Sequence, residues 1–221
     1  ALVTSGAELA SDHVSSAPPF WTFFAPPPAG DTKLVRSPNG LTAQFKTSGL
    51  TAGHAVTLWI MFFDNPGDCP RQGPCVPAPY DPNELQWGQS GDIGRPGIRF
   101  DFHYAGGHVV NGRKTTITGH LKVGETSTSG WAELVARGAA PPFFVTPLTN
   151  PSGAQVILAI HSHGPAQRGR TLAEQMSSYL GGCDFPFFTA DPGGFAAGAH
   201  EIPSAPGECA TIQLAFHNPA E

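Results

Sequence analysis

The sequence predicts an all-β fold, a sandwich or flattened barrel with long Pro/Gly loops, on three observations. Short apolar or alternating runs recur along the chain, each bounded by Gly, Pro, Asn or Asp. Gly (27) and Pro (23) are frequent enough to break helices almost everywhere, and one stretch alone carries helix signals. Yet 40% of the residues are hydrophobic and 15 are Phe, which separates the chain from a disordered Gly/Pro-rich sequence. At 221 residues it can bury a full core. We read residues 31–221 as a single domain and residues 1–30 as an arm laid against it.

The arm holds Phe20, Trp21, Phe23 and Phe24 beside Pro26, Pro27 and Pro28. The prolines favour polyproline II, and the aromatics are too apolar to stand in water, so the arm is expected to dock on its own domain or on a partner. Residues 34–36 and 41–48 read as strands around a Ser-Pro-Asn-Gly turn. Residues 54–63 are apolar on both faces, Val56, Leu58, Ile60 and Phe62 against Thr57, Trp59, Met61 and Phe63, the pattern of a central strand. Residues 98–104 alternate, with Phe100, Phe102 and Tyr104 inward and Arg99, Asp101 and His103 outward.

A bend at Ala105-Gly106-Gly107 and the hairpin signal Asn111-Gly112 lead into strand 114–123, which sets Thr116, Thr118, His120 and Lys122 on one face. Residues 131–136 are read as a further strand. Strand 154–164 places Gln155, Ile157, Ala159, His161 and His163 on one face and Val156, Leu158 and Ile160 on the other. The one short helix is 171–180, with Thr171 as cap, Glu174 three residues on, and Gly181-Gly182 at its end. Strand 210–217 closes the chain, Ile212, Leu214 and Phe216 forming its apolar face.

The four cysteines fall in two Pro/Gly-rich loops, Cys69 with Cys75 and Cys183 with Cys209. An even number in loops, with only four Lys, fits an exported protein with two disulfides. Closing the longer loop, of about 25 residues, is worth roughly 3 kcal/mol. The opening ALVTSGAELAS reads as a mature terminus left by a removed signal peptide, so a secreted, periplasmic or cell-surface location is expected. Net charge is −5 with no Lys/Arg run, so nucleic acid is not expected as a partner. No run approaches the ~18–20 apolar residues of a membrane span.

Nucleophile-elbow, phosphate-loop, dinucleotide, zincin and haem-attachment patterns are all missing. That leaves the histidines, nine of them against four Lys. His161 and His163 sit about 6–7 Å apart along one strand face, and neutral imidazole ligates copper or zinc. His120 and His217 are the third and fourth candidate ligands, with Asp101 or His103 in support. Local hydrogen bonding of the two histidines explains the same pattern without a metal. Asp64, Asp68, Asp81 and Glu84, with Asn65, offer oxygens to calcium, or are ordinary turn chemistry. Trp21, Tyr80 and Trp87 are candidates to stack on a sugar.

Three readings are open. The first is a non-catalytic extracellular binding or assembly module, whose arm (Phe20, Trp21, Phe23, Phe24) meets another copy or an extracellular protein or glycan. The second is a copper or zinc metalloprotein built on His161 and His163. The third is a secreted hydrolase on a β scaffold.

Residues 49–59 (GLTAGHAVTLW), the loop 65–75, and Ser162-His163-Gly164-Pro165 near Gly181-Gly182-Cys183 resemble a group of exported bacterial proteins of unassigned function. The resemblance spans roughly residues 40–217 and implies a secreted β-rich fold centred on the His163 segment. A fainter likeness, to secreted β-sandwiches with H-x-H copper/zinc sites, rests on His161 and His163.

Overall fold

A computed structural model of the chain describes residues 12–21, 28–69, 75, 92–93, 97–136, 145–183 and 210–220. These residues form two antiparallel sheets. One runs β1 (His13–Ala17), β3 (Asp31–Ser37), β4 (Gly40–Ser48), β7 (Lys114–Lys122). The other runs β2 (Phe20–Trp21), β9 (Ala210–His217), β8 (Gln155–Pro165), β5 (His54–Phe63), β6 (Phe100–Val109). Between them lies the main core, in which Leu34, Phe45 and Ile117 of the four-stranded sheet meet Leu58, Ile60 and Leu158 of the five-stranded one.

The double-faced apolar runs have a simple cause. Val156, Leu158 and Ile160 of β8 point into the main core, while Ile157 and Ala159 point outward into a second one. That second core joins Trp59, Phe63, Phe100 and Phe102 to Trp131 and Leu134 of helix α1 (Gly130–Ala136) and to Leu180. The outer face of the five-stranded sheet is thus roofed by loops and a helix, and an antiparallel strand buried on both sides loses its alternation.

Residues 131–136 are helical, not a strand. Ser129 accepts the Ala132 N–H through its hydroxyl (3.2 Å), and Gly130, Trp131 and Leu134 bury at helical spacing. Helix α2 is Gly169–Gln175, shorter than expected and displaced. Arg168 stands at its N-cap without a side-chain bond, so Thr171 lies inside the first turn and caps nothing. The chain leaves the helix at Met176 because Tyr179 and Leu180 are drawn into the second core, where the Glu133 carboxylate accepts both their N–H groups (2.7 and 3.1 Å).

Strand β6 takes the expected bend as a bulge within its length: consecutive Leu58 and Trp59 of β5 pair with Gly106 and Tyr104, which leaves Ala105 as the extra residue. Gly107 is required there, since a Cβ would sit 2.4 Å from the Met176 carbonyl oxygen.

Two expectations of facing are reversed. On β6, Asp101 and His103 are fully buried on the main-core side, not outward. On β9, Gln213, Ala215 and His217 pair with inward residues of β8, while Leu214 and Phe216 face outward. Gln213 and His217 are partnered across the sandwich. Thr47 donates to Gln213 (2.6 Å), and His217 is bonded to Ser15 (2.9 Å) and Thr32 (3.0 Å).

The described part of the 1–30 segment is woven into both sheets, β1 pairing with β3 and β2 with β9. Phe20 stacks on Phe216 at 5.5 Å, half-exposed, and the Trp21 backbone pairs with Gln213. Phe23 and Phe24 lie outside the described residues. Cys69 and Cys75 form a disulfide. Cys183 is also disulfide-bonded, and its expected partner Cys209 lies outside the described residues. Among the described residues no helix is long and apolar enough to cross a membrane.

Candidate functional site

Two places bring chemistry-bearing side chains together. The first is the covered end of the five-stranded sheet, where the alternation of β8 sets His161 and His163 on the outer face beside Thr57 of β5. Both are buried, at 2% and 3% exposure, with ring centroids 4.9 Å apart. Tyr179 covers His161 at 4.3 Å.

The hydrogen bonds assign the His163 tautomer. A carbonyl only accepts, so Nδ1 carries the proton and donates to Gly181 O (2.9 Å). Nε2 accepts from the Thr57 hydroxyl (2.9 Å), which in turn accepts the Trp59 indole N–H (2.8 Å). His161 is less well provided. Nδ1 lies 3.3 Å from Thr211 Oγ1, and Nε2 is buried without a hydrogen-bond partner. Cys183 Sγ stands 3.9 Å from His163 Nδ1, and one ligating atom each from His161, His163 and Cys183 all lie within 4.8 Å of one another.

Burial holds both imidazoles neutral. It carries His161 well below the ordinary value near 6.5, with His163 adding to the effect, and brings His163 to about 4 against the pull of the Gly181 carbonyl. Neutral imidazole is the ligating form.

The expected four-histidine set does not assemble. His120 is exposed on β7 in the other sheet. His217 faces the main core, opposite Val156 and five rows from the His161–Thr211 pair. Asp101 and His103 lie on the opposite face of the five-stranded sheet from His161, so they do not support it. Spacing along the chain carried no information on register between strands, and register decides which histidines meet.

Asp101, His103 and Ser129 have the residue types of a hydrolytic triad in the wrong order. The Ser129 hydroxyl contacts both carboxylate oxygens of Asp101 (2.9 Å each), whereas His103 Nδ1 turns to Thr128 (3.0 Å). The cluster pins α1 and Thr146 to β6; Thr146 N–H also donates to Asp101 (2.8 Å).

Asp64 is likewise committed. It accepts from Thr149 N–H (2.8 Å), Thr149 Oγ1 and Asn150 N–H (3.0 Å), and it pairs with Arg99 (3.0 Å). Asp68 is bonded to the Asn65 amide. These oxygens brace loops and are not arranged round a calcium ion. Asp81, Glu84, Tyr80 and Trp87 lie outside the described residues.

The second place is the outer face of the four-stranded sheet, and sequence reasoning missed it. All four lysines of the chain, Lys33, Lys46, Lys114 and Lys122, are exposed there, one or two on each of β3, β4 and β7. The pairings interleave them with polar side chains: Lys33 faces Gln44, which faces Thr118; Lys46 faces Thr116; Thr42 faces His120. Asp31, paired with Lys46, is the one carboxylate on these strands. In sequence the lysines are scattered over ninety positions, so no window shows a basic run. The available signal was their shared parity on alternating strands.

The two sites sit on an all-β sandwich with one sheet open to solvent and the other roofed. Comparison with known protein families, with curated proteins and with solved structures finds no match to this chain.

Proposed function

We propose that the protein is an exported, non-catalytic binding module whose ligand is an anionic polysaccharide held on the outer face of the four-stranded sheet. The observation that carries this reading is the convergence of every lysine on one face of a chain whose net charge is −5. Random placement would scatter four cations over a surface dominated by carboxylates. Here they share one face with a single Asp.

The chemistry of the face selects the ligand. Lys presents a compact point charge that pairs with an isolated anionic group, and these strands expose no Arg, whose guanidinium fork grips carboxylate or phosphate with two bonds. Duplex DNA carries a charge every ~1.7 Å and calls for denser cations. Thr42, Gln44, Thr116 and Thr118 between the lysines supply donors and acceptors for sugar hydroxyls. Lys114 and Lys122 stand eight residues apart on β7, about 26 Å, which suits an extended polymer over a small molecule. Disulfides at Cys69–Cys75 and Cys183 support export to an oxidising compartment.

The test is affinity electrophoresis and calorimetry with polygalacturonate, neutral dextran and duplex DNA. Polygalacturonate is expected to retard the protein at about 0.1 M salt and to release it near 1 M, where the screening length falls to about 3 Å. A variant with all four lysines changed to Ser should keep its fold and lose binding about tenfold or more. Undiminished binding by that variant, equal retardation by dextran, or stronger binding to DNA would each overturn the reading.

A further inference from the structure

The buried imidazole pair is not used by the polysaccharide face, which lies on the other sheet, and its construction calls for a separate explanation. His161 Nε2 has been taken out of water and given nothing to bond to. An unpaired polar atom in a packed interior is costly, and native proteins keep few of them. The same ring belongs to a cluster in which one of its nitrogens, a nitrogen of a second imidazole and a sulfur all stand within 4.8 Å of one another. Yet the sulfur belongs to a disulfide, and a disulfide sulfur is not a thiolate.

We propose that the cluster is a metal site gated by the redox state of Cys183: closed while the disulfide is intact, and, once it is reduced, a His161–His163–Cys183 site for zinc or copper. The step needs two electrons, supplied by a dithiol or phosphine reductant. The S–S bond breaks, each sulfur takes up a proton, and the Cys183 thiol then gives its proton to solvent as the thiolate bonds the ion. Two imidazoles and one thiolate are a donor set that favours zinc or copper over magnesium or calcium.

The surroundings fit this role. Ligand atoms on a tetrahedral ion with bonds of 2.0–2.3 Å stand about 3.5 Å apart, so the cluster must contract by roughly an ångström. Gly181 and Gly182, immediately before Cys183, form the turn that would move, and Gly182 already has positive φ (71°). His163 ligates by giving its Nδ1 proton up and carrying one on Nε2 instead. Thr57 can receive it, because a hydroxyl that now donates to Nε2 can equally accept from it. Trp59 N–H holds that hydroxyl in place in either state. This is the outer-shell support that orients ligating histidines.

The experiment compares the full chain oxidised and after reduction, each titrated with zinc and with cobalt(II), whose thiolate charge-transfer absorption reports sulfur ligation directly. The expected result is about one equivalent bound by the reduced protein, with the thiolate band, and at least a hundredfold weaker binding by the oxidised one. His161→Ala and Cys183→Ser should each abolish the band.

Reduction also opens Cys69–Cys75, so a second variant isolates the site. Cys209 is the one cysteine left in the chain for Cys183 to pair with. Cys209→Ser without reductant leaves Cys69–Cys75 closed and should bind the ion with no redox treatment. Equal affinity in both redox states, a thiolate band that survives His161→Ala, or a folded Cys209→Ser protein that binds no metal would each overturn the proposal. Should Cys209→Ser fail to fold, the reduced and oxidised wild type decide alone.

Discussion

The two outer faces of this sandwich begin from the same strand geometry and end as opposites. On the four-stranded sheet the exposed and buried residues of β3, β4 and β7 alternate, and the outward positions are Lys, Thr, Gln and Ser with Asp31, Val35 and His120. On the five-stranded sheet, β5 and β8 are buried almost throughout, and the outward positions are Trp59, Phe63, Ile157 and His161. What covers each face makes the difference. The outward side chains of β3, β4 and β7 are exposed or half-buried, whereas Trp131 and Leu134 of α1, Leu180 and the disulfide-bonded Cys69 and Cys75 pack over the outer face of the second sheet. One face is open to water, and the other is closed into an interior. A side chain on the first is held by water; on the second it is held by its neighbours.

The sharpest way to break that contrast is Trp59→Ala. The ring is fully buried, packs on Phe102 (5.4 Å), Tyr104 (5.9 Å) and Tyr179 (5.2 Å), and donates to the hydroxyl that orients His163. Removing it should cost about 4 kcal/mol in denaturant unfolding, from lost burial plus a cavity that the sheet cannot close. A cost under 1 kcal/mol would mean that the roof is loose and that the second core is no core at all.

Acid is the next lever, because it acts most on groups removed from water. His217, between the sheets, has its pKa lowered to about 4 by burial first and by Arg36 next, with Asp31 opposing. In the unfolded chain an imidazole takes its proton near 6.5. Between those values the unfolded state holds one more proton, so the contribution is fully present above about 6.5 and is lost as pH falls, by about 1.4 kcal/mol per pH unit, until it levels below about 4. Stability measured at pH 7 and 4.5 should therefore fall by about 2–3 kcal/mol more in the wild type than in His217→Gln, the carboxylates being common to both. Parallel pH curves would place His217 in contact with solvent.

The same contrast explains how much of the molecule is legible in its sequence. Strands β4, β5, β7, β8 and β9 are readable to within a residue or so, because their apolar periodicity is a property of each segment alone. The two faces of β8, with His161 and His163 among Ile157 and Ala159, are readable for the same reason. The features that escape need information from elsewhere in the chain. Gln213, His217 and Asp101 look outward-facing because polarity suggests exposure, whereas each is partnered inside by Thr47, Thr32 or Ser129. Residues 131–136 look like a strand because the cap at Ser129 acts through its side chain. The lysine face is invisible because it exists only once β3, β4 and β7 are in register.

The smallest effects are expected on that face, and they sharpen the comparison most. Lys33→Ser should change stability by less than about 0.5 kcal/mol, since nothing packs on an exposed side chain that a Ser would leave empty. Lys46→Ser should cost a few tenths more, because Lys46 stands directly across from Asp31 and an exposed cross-strand pair is worth roughly 0.2–1 kcal/mol. That increment is electrostatic, so it should vanish near 1 M salt while the Lys33 value stays put. Thermal unfolding of the two variants at low and high salt checks both statements. If either lysine cost well over 1 kcal/mol at high salt, it would be part of the architecture, and its exposure could no longer be explained by a ligand. If both are nearly silent in stability yet needed for polyuronate binding, four cations on one face have no structural reason to be there, and recognition is the reason that remains.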